Sequence, residues 1–285
     1  MRFGAHVSIA KSLADSIDRA VSSGCDAMQI FPGNPRGWQP SFLSQDEAED
    51  FRERRSKNNI RPVAIHLPYL VNLGSPVDRV FEASISSIKN TLAKARLIDA
   101  DFLVTHTGSH TGAGYQIGFD RIIAALNEIL EEDFGSTKLL LENTAGAGHT
   151  IGSRLEEFEK IFKKVSFDKR LGLCVDTCHA YAAGYDIADK ETLDHFLAEL
   201  GSLIGGERLL LMHANDCKSQ LGSHLDRHEQ IGEGSIGLDG FRNILAHPTL
   251  QDMTFIIETP RPVPGDDVKN LQTLKKLAPS RAWAK

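Results

Sequence analysis

Short apolar runs rich in Val, Ile and Leu alternate with longer amphipathic segments from one end of the chain to the other. The apolar runs occupy residues 2–7, 27–31, 63–67, 102–107, 138–143, 171–177, 209–214 and 254–258. Each is short and β-branched, which predicts eight strands. Helical spacing of apolar positions predicts helices over 12–23, 44–58, 78–99, 116–132, 154–165, 190–204, 238–246 and 266–277. Ser44 with Glu47 forms a capping-box pattern at the second helix, and Asp78 reads as the N-cap of the third. Eight strand–helix units in succession predict an α/β fold, a single-domain (β/α)8 TIM barrel over residues 1–285 with its site at the C-terminal mouth of the strands. No Pro/Gly/Ser-rich linker divides the chain, and no repeat appears beyond the alternation itself.

The strand-like runs end on polar residues that could bind a metal. His66 closes VAIHL, His106 closes FLVTH, Glu142 closes LLLE, His213 closes LLLMH and Glu258 closes FIIE. One histidine at a strand end is an ordinary hydrogen-bonded residue. Five coincident strand ends are not, because buried charge and imidazole are costly unless something at the mouth needs them. Asp176 and His179 stand three apart after the sixth run, so on a strand they would face opposite ways and serve different ions. Asp226 and His228 lie two apart in the longest loop, 215–237, where an extended chain can turn both to one ion. These nine residues supply imidazole and carboxylate without thiolate, which suits Zn²⁺, Mn²⁺ or Fe²⁺ more than Mg²⁺. Nine ligands match about three ions, and paired metals in one pocket point to phosphoryl chemistry.

Composition narrows the class. At 285 residues, 41% hydrophobic and 25% charged, the chain has ample core for one soluble domain. Its cysteines, Cys25, Cys174, Cys178 and Cys217, form no CxxC pair and read as reduced core thiols. The N-terminal stretch lacks a long apolar core, and no run approaches the ~18 apolar residues of a membrane span, so a cytoplasmic monomer is expected. A formal net charge of −6 argues at first against a nucleic-acid partner. Three divalent ions among the four candidate carboxylates would bring that total to about zero.

Two loops suit a polymer. PGNPRGWQP presents Asn34, Arg36 and Trp38, and PYLVNLGSP presents Tyr69 and Leu70 beside His66. Arg with aromatics fits phosphate contact and base stacking, and an apolar wedge fits entry into a duplex. NTAGAG and GEGSIG lack a phosphate-loop context and read as tight mouth loops.

The motifs GAHVS, NPRGW, HLPYLVNLGSP, ENTAGAG, DTCHAYAAGYD, MHANDCKS, GSHLDRH, GEGSIG and ETP extend over essentially the whole chain. In them the chain resembles the endonuclease IV family of apurinic/apyrimidinic (AP) endonucleases. The resemblance implies a three-zinc barrel that cuts duplex DNA 5′ to an abasic site, leaving a 3′-hydroxyl and a 5′-deoxyribose phosphate, and that also removes 3′ blocking groups. It implies that His66, His106 and Glu142 hold one zinc, that Glu142, Asp176, His213 and Glu258 hold a second, and that His179, Asp226 and His228 hold a third, with Mn²⁺ an option at one position. In such a site the bridged pair holds a hydroxide that attacks phosphorus in line, with Glu142 orienting or deprotonating it. Asn34, Arg36, Trp38, Tyr69 and Leu70 match the loops that bend the duplex around a flipped-out abasic nucleotide. One departure is THTGSH, where the family pattern is HPGSH; Thr107 takes the proline position, which predicts altered loop stiffness with the ligand retained. His6 in GAHVS matches a recurrent family residue of undefined role.

Two other readings fit parts of this pattern. A sugar or sugar-phosphate isomerase or epimerase of the xylose-isomerase-like barrels would use about two ions and leave His179, Asp226 and His228 without a role. A metal-stabilised sensor of DNA damage would not need the bridging carboxylate Glu142.

Overall fold

The computed structural model describes residues 1–34, 36–38, 43–132, 135–166 and 168–279. Eight parallel strands close into a barrel in sequential order: β1 (Arg2–His6), β2 (Ala27–Ile30), β3 (Val63–His66), β4 (Phe102–His106), β5 (Lys138–Glu142), β6 (Leu171–Asp176), β7 (Leu209–His213) and β10 (Thr254–Ile257), which pairs with β1. The α-helices that pack around them are α1 (Asp15–Ser22), α2 (Gln45–Lys57), α3 (Asp78–Leu97), α4 (Tyr115–Leu130), α5 (Leu155–Lys164), α7 (Lys190–Leu203), α8 (Gly237–Ala246) and α9 (Asp266–Leu277). A single-domain TIM barrel is therefore the fold, as the alternation predicts.

The period of two along each strand sorts the core into two parts. Phe3, Met28, Ile65, Leu103, Leu141, Val175, Met212 and Ile257 face outward under the helices and belong to the main core. The other parity fills the barrel with a separate buried layer of Ala27, Ala64, Val104, Leu140, Cys174, Leu211 and Ile256. β1 supplies Gly4 to that layer; a Cβ there would lie 2.1 Å from the Ala27 carbonyl oxygen and 2.7 Å from Ile256 Cδ1, so nothing larger fits.

Three local expectations change. Asp78 is the first residue of α3 rather than its N-cap; Val77 holds that position with extended backbone, and the Asp78 carboxylate instead accepts from Arg121 Nη2 at 2.8 Å. The segment after β6 turns at once into a short helix, α6 (Thr177–Ala183), and is not strand through Thr177. The 215–237 loop folds back on itself as a two-stranded antiparallel ribbon, β8 (Asp216–Cys217) with β9 (His228–Glu229). The Ser44–Glu47 capping box forms as predicted. All four cysteines are buried free thiols. No helix among the described residues is long and apolar enough to cross a membrane.

Candidate metal centre

Every barrel strand carries a polar residue two positions beyond its residue in the inner layer. The set is His6, Gln29, His66, His106, Glu142, Asp176, His213 and Glu258. A displacement of two preserves the facing, so all eight side chains point toward the axis at the C-terminal mouth. Glu142, Asp176, Gln29 and His213 are fully buried there.

Among the described residues, donor atoms at and beside this mouth gather into groups within which all atoms lie inside 4.8 Å of one another: His66, His106 and Glu142; Glu142, Asp176, His213 and Glu258; His179, Asp226 and His228; and a fourth, overlapping set of Asp176, Cys178 and His228 that includes a buried thiol. Glu142 joins the first two groups through different oxygens. Its Oε2 lies 2.9 Å from His66 Nε2 and 3.7 Å from His106 Nε2, while its Oε1 lies 3.0 Å from His213 Nδ1. In the third group Asp226 lies 3.2 Å from His179 Nε2 and 3.3 Å from His228 Nε2.

Asp176 and His179 do fall into separate groups, but strand alternation is not the cause. Asp176 ends β6 and caps α6: its Oδ1 accepts from His179 N at 2.9 Å, which puts the His179 ring on the first turn of the helix. Its Oδ2 accepts from Asn215 Nδ2 at 2.7 Å, and Asn215 Oδ1 accepts from Glu258 N at 2.7 Å. Asn143 receives Asp176 N on its Oδ1 at 2.6 Å. Asn143, Asn215 and Gln29 went unnoticed in the sequence, where only ionisable ligand types stood out.

Five observations bear on whether metal ions fit. Four of the five histidines give one ring N–H to an acceptor outside the groups: His66 Nδ1 to Leu67 O, His179 Nδ1 to Asn143 O, His228 Nδ1 to Glu258 O, and His213 Nε2 to Gln29 Oε1. Since those acceptors carry no proton, each imidazole turns its other nitrogen inward, as metal-ligating histidines do. His228 Nε2 is buried without a hydrogen bond, although two carboxylates lie within 3.5 Å. Among the described residues the four carboxylates find ion-pair partners only in histidines. Burial alone would push the Glu142 carboxyl up, yet His106, His213 and His179 hold it well below the usual range; Glu258 is held down in the same way against its own burial, chiefly by His213 and His6. Burial opposes charge on His179 and His213 too, yet both are raised well above the usual imidazole value, His179 by Asp176, Asp226 and Glu142, and His213 by Cys174, Glu258 and Glu142. Buried carboxylates that draw protons onto their histidine neighbours are asking for cations. The residues fit a cluster of divalent ions.

The rim carries the other expected residues. Tyr69 is 73% exposed and its ring stands 6.4 Å from the His106 ring, nearly parallel to it; Leu70 beside it is 37% exposed. Asn34 and Arg36 are exposed and Trp38 half-buried, with Asn34 Oδ1 accepting from Arg36 N. Pro35, Gln39 and Pro40 of that loop lie outside the described residues. A cavity of about 260 Å³ opens between Tyr69, His106, Thr144, His179 and Asp226. GEGSIG offers no phosphate cradle, because the Asp216 carboxylate takes the N–H groups of Gly232, Gly234, Ile236 and Gly237. His6 reaches Glu258 Oε1 at 3.0 Å.

Residues 17–278 match the family model described as a xylose isomerase-like TIM barrel. The chain is 45% identical over 261 residues to the probable endonuclease 4 of Halothermothrix orenii, covering 92% of this chain and 94% of that protein. It is 43% identical to the probable endonuclease 4 of Methanoculleus marisnigri, over 96% and 98% of the two chains. Among solved structures, endonuclease IV from Thermus thermophilus superposes with a TM-score of 0.85 at 37% identity over 97% of this chain and 98% of that one. A D-tagatose 3-epimerase-like protein shares the fold, with a TM-score of 0.72 at 24% identity. With relatives this similar over nearly its whole length, the chain belongs to the endonuclease IV family of DNA-repair endonucleases.

Proposed function

We propose that this chain hydrolyses the phosphodiester bond 5′ to an abasic site in duplex DNA, leaving a 3′-hydroxyl and a 5′-deoxyribose phosphate. The observation that carries the reading is the gathering of nine side chains into three donor groups, two of which share Glu142. His66, His106 and Glu142 would hold one ion, Glu142, Asp176, His213 and Glu258 a second, and His179, Asp226 and His228 a third. With imidazole and carboxylate donors, Zn²⁺ is the favoured ion, and Mn²⁺ suits one position. Three such ions supply Lewis-acid activation of water and charge neutralisation at phosphorus.

The chain's own groups do the rest. Glu142, with an oxygen aimed at each of two groups, orients the attacking water between them and can receive its proton. Tyr69 and Leu70 enter the gap left by the missing base, and Asn34, Arg36 and Trp38 hold the bent backbone. The Tyr69 ring beside His106 sets the distance from wedge to cluster. The same open mouth admits a frayed 3′ end, so removal of 3′ blocking groups follows from the same chemistry. A sugar epimerase would leave the His179, Asp226 and His228 group idle.

A duplex bearing one tetrahydrofuran abasic analogue tests this reading. The zinc-loaded protein should nick it once on the 5′ side without added magnesium; an intact strand after incubation would overturn the proposal.

A further inference from the structure

Seven of the eight inward residues at the mouth are imidazole or carboxylate. The eighth, Gln29 on β2, is an amide, fully buried two positions beyond Ala27. Its carbonyl oxygen lies 2.9 Å from His213 Nε2, and its amide nitrogen lies 2.6 Å from Glu258 Oε1. The amide cannot be turned round. A carboxylate oxygen only accepts, so the NH2 group must face Glu258, which leaves the carbonyl to receive a proton from His213.

We propose that Gln29 is a positioning residue that decides how two metal ligands present themselves. By taking the Nε2 proton of His213 it leaves Nδ1 as the inward nitrogen, and Nδ1 is the atom that lies 3.0 Å from Glu142, 3.5 Å from Glu258 Oε2 and 3.9 Å from Asp176. By holding Glu258 Oε1, together with His6 Nδ1 at 3.0 Å, it leaves Oε2 to serve the group. One side chain from β2, a strand with no ligand of its own, thereby selects the ring nitrogen of His213 and the single oxygen of Glu258. Without it the His213 proton is free to move to Nδ1 and block the inward lone pair, and Glu258 is free to turn both oxygens inward. Outer hydrogen bonds of this kind typically change metal affinity by about 10–100-fold.

This inference rests on the metal-site reading above, and two measurements separate their failures. In the ¹⁵N-labelled, zinc-loaded wild type, long-range ¹H–¹⁵N correlation should show the His213 proton on Nε2; a proton on Nδ1 in a protein that binds zinc and cuts abasic DNA would overturn the role of Gln29 alone. A wild type that takes up no zinc would remove the metal reading and this one with it. Zinc titration of Gln29→Leu should show one class of ion bound about 10–100-fold more weakly, with the others retained. Gln29→Glu still accepts from His213 but cannot donate to Glu258, so it should keep the Nε2 tautomer and lose affinity. Wild-type affinity in both variants would overturn the proposal. Should Gln29→Leu fail to fold, the wild-type tautomer and Gln29→Glu still decide it.

Discussion

Glu142 is the residue on which the site turns, because both of its oxygens are committed: Oε2 toward His66 and His106, Oε1 toward His213. Glu142→Gln keeps the volume but replaces one acceptor oxygen with an NH2 group, so one of the two groups meets a donor where it had an acceptor. Cleavage of a tetrahydrofuran duplex should fall by about 10²–10⁴-fold, the range for loss of a positioned proton-transfer group. Initial rates with the zinc-loaded variant check this, and a variant as fast as the parent removes Glu142 from the mechanism. Lys94 gives a second prediction, away from the metal groups. Its side chain is buried on α3, with Nζ donating to Pro32 O at 2.5 Å, and burial lowers its pKa despite the opposing charge of Glu47. A base whose folded pKa is depressed binds fewer protons folded than unfolded between the two values, so stability rises with pH through that window. The cost is fully present below the folded pKa and disappears as pH climbs toward the ordinary lysine value of about 10.4. Thermal melts of wild type and Lys94→Met from neutral pH upward should show the wild type gaining on the variant; a constant difference would refute the assignment.

At the scale of elements, the exits of the strands decide where the side chains go, and they differ in how plainly the sequence announces them. The eight barrel strands and the ligands His66, His106, Glu142, His213 and Glu258 were legible because an apolar run that stops on a charged or imidazole residue is a local signal. α6 was not. TCHAYAA follows β6 without a polar break, and the residue that ends the strand, Asp176, is also the helix cap. The β8–β9 ribbon was illegible for another reason, since strands of two residues are too short to show alternation. Gln29 was legible in principle from parity, two beyond Ala27, yet a search by ligand type passes over an amide. Thr107 is fully buried, and its hydroxyl donates to Ile151 O, while Ile151 N donates to Gly108 O at 2.9 Å and Ser109 bridges to Thr150. A side-chain bond thus ties the segment after β4 to the segment after β5. Thr107→Val keeps the shape and leaves Ile151 O without this partner, for a loss of about 1–3 kcal/mol. Denaturant unfolding should register that loss with zinc content unchanged; a drop in bound zinc would mean that the loop also holds His106.

For the molecule as a whole, the difficulty is an acidic protein that must hold a polyanion. The formal charge is −6, and four of the carboxylates, Glu142, Asp176, Asp226 and Glu258, are gathered at the mouth where a phosphate would have to sit. Phosphate binding elsewhere leaves a basic footprint on the fold, and its affinity falls steeply with salt. Here the field at the mouth depends on what the carboxylates hold: without cations it repels the backbone, and with three divalent ions its sign reverses close to the cluster. If the carboxylates hold the ions proposed above, DNA binding and metal content are coupled, beyond any role of the ions in bond cleavage. Stripping the ions with a chelator should abolish cleavage and also weaken binding of an abasic duplex, read by fluorescence anisotropy at one fixed ionic strength. Restoring zinc should recover both, with elemental analysis returning about three ions per chain, one for each donor group. Equal DNA affinity with and without metal would place recognition wholly in the rim residues Asn34, Arg36, Trp38, Tyr69 and Leu70. A plateau at about two ions with full activity would show that one of the three donor groups is not a metal site.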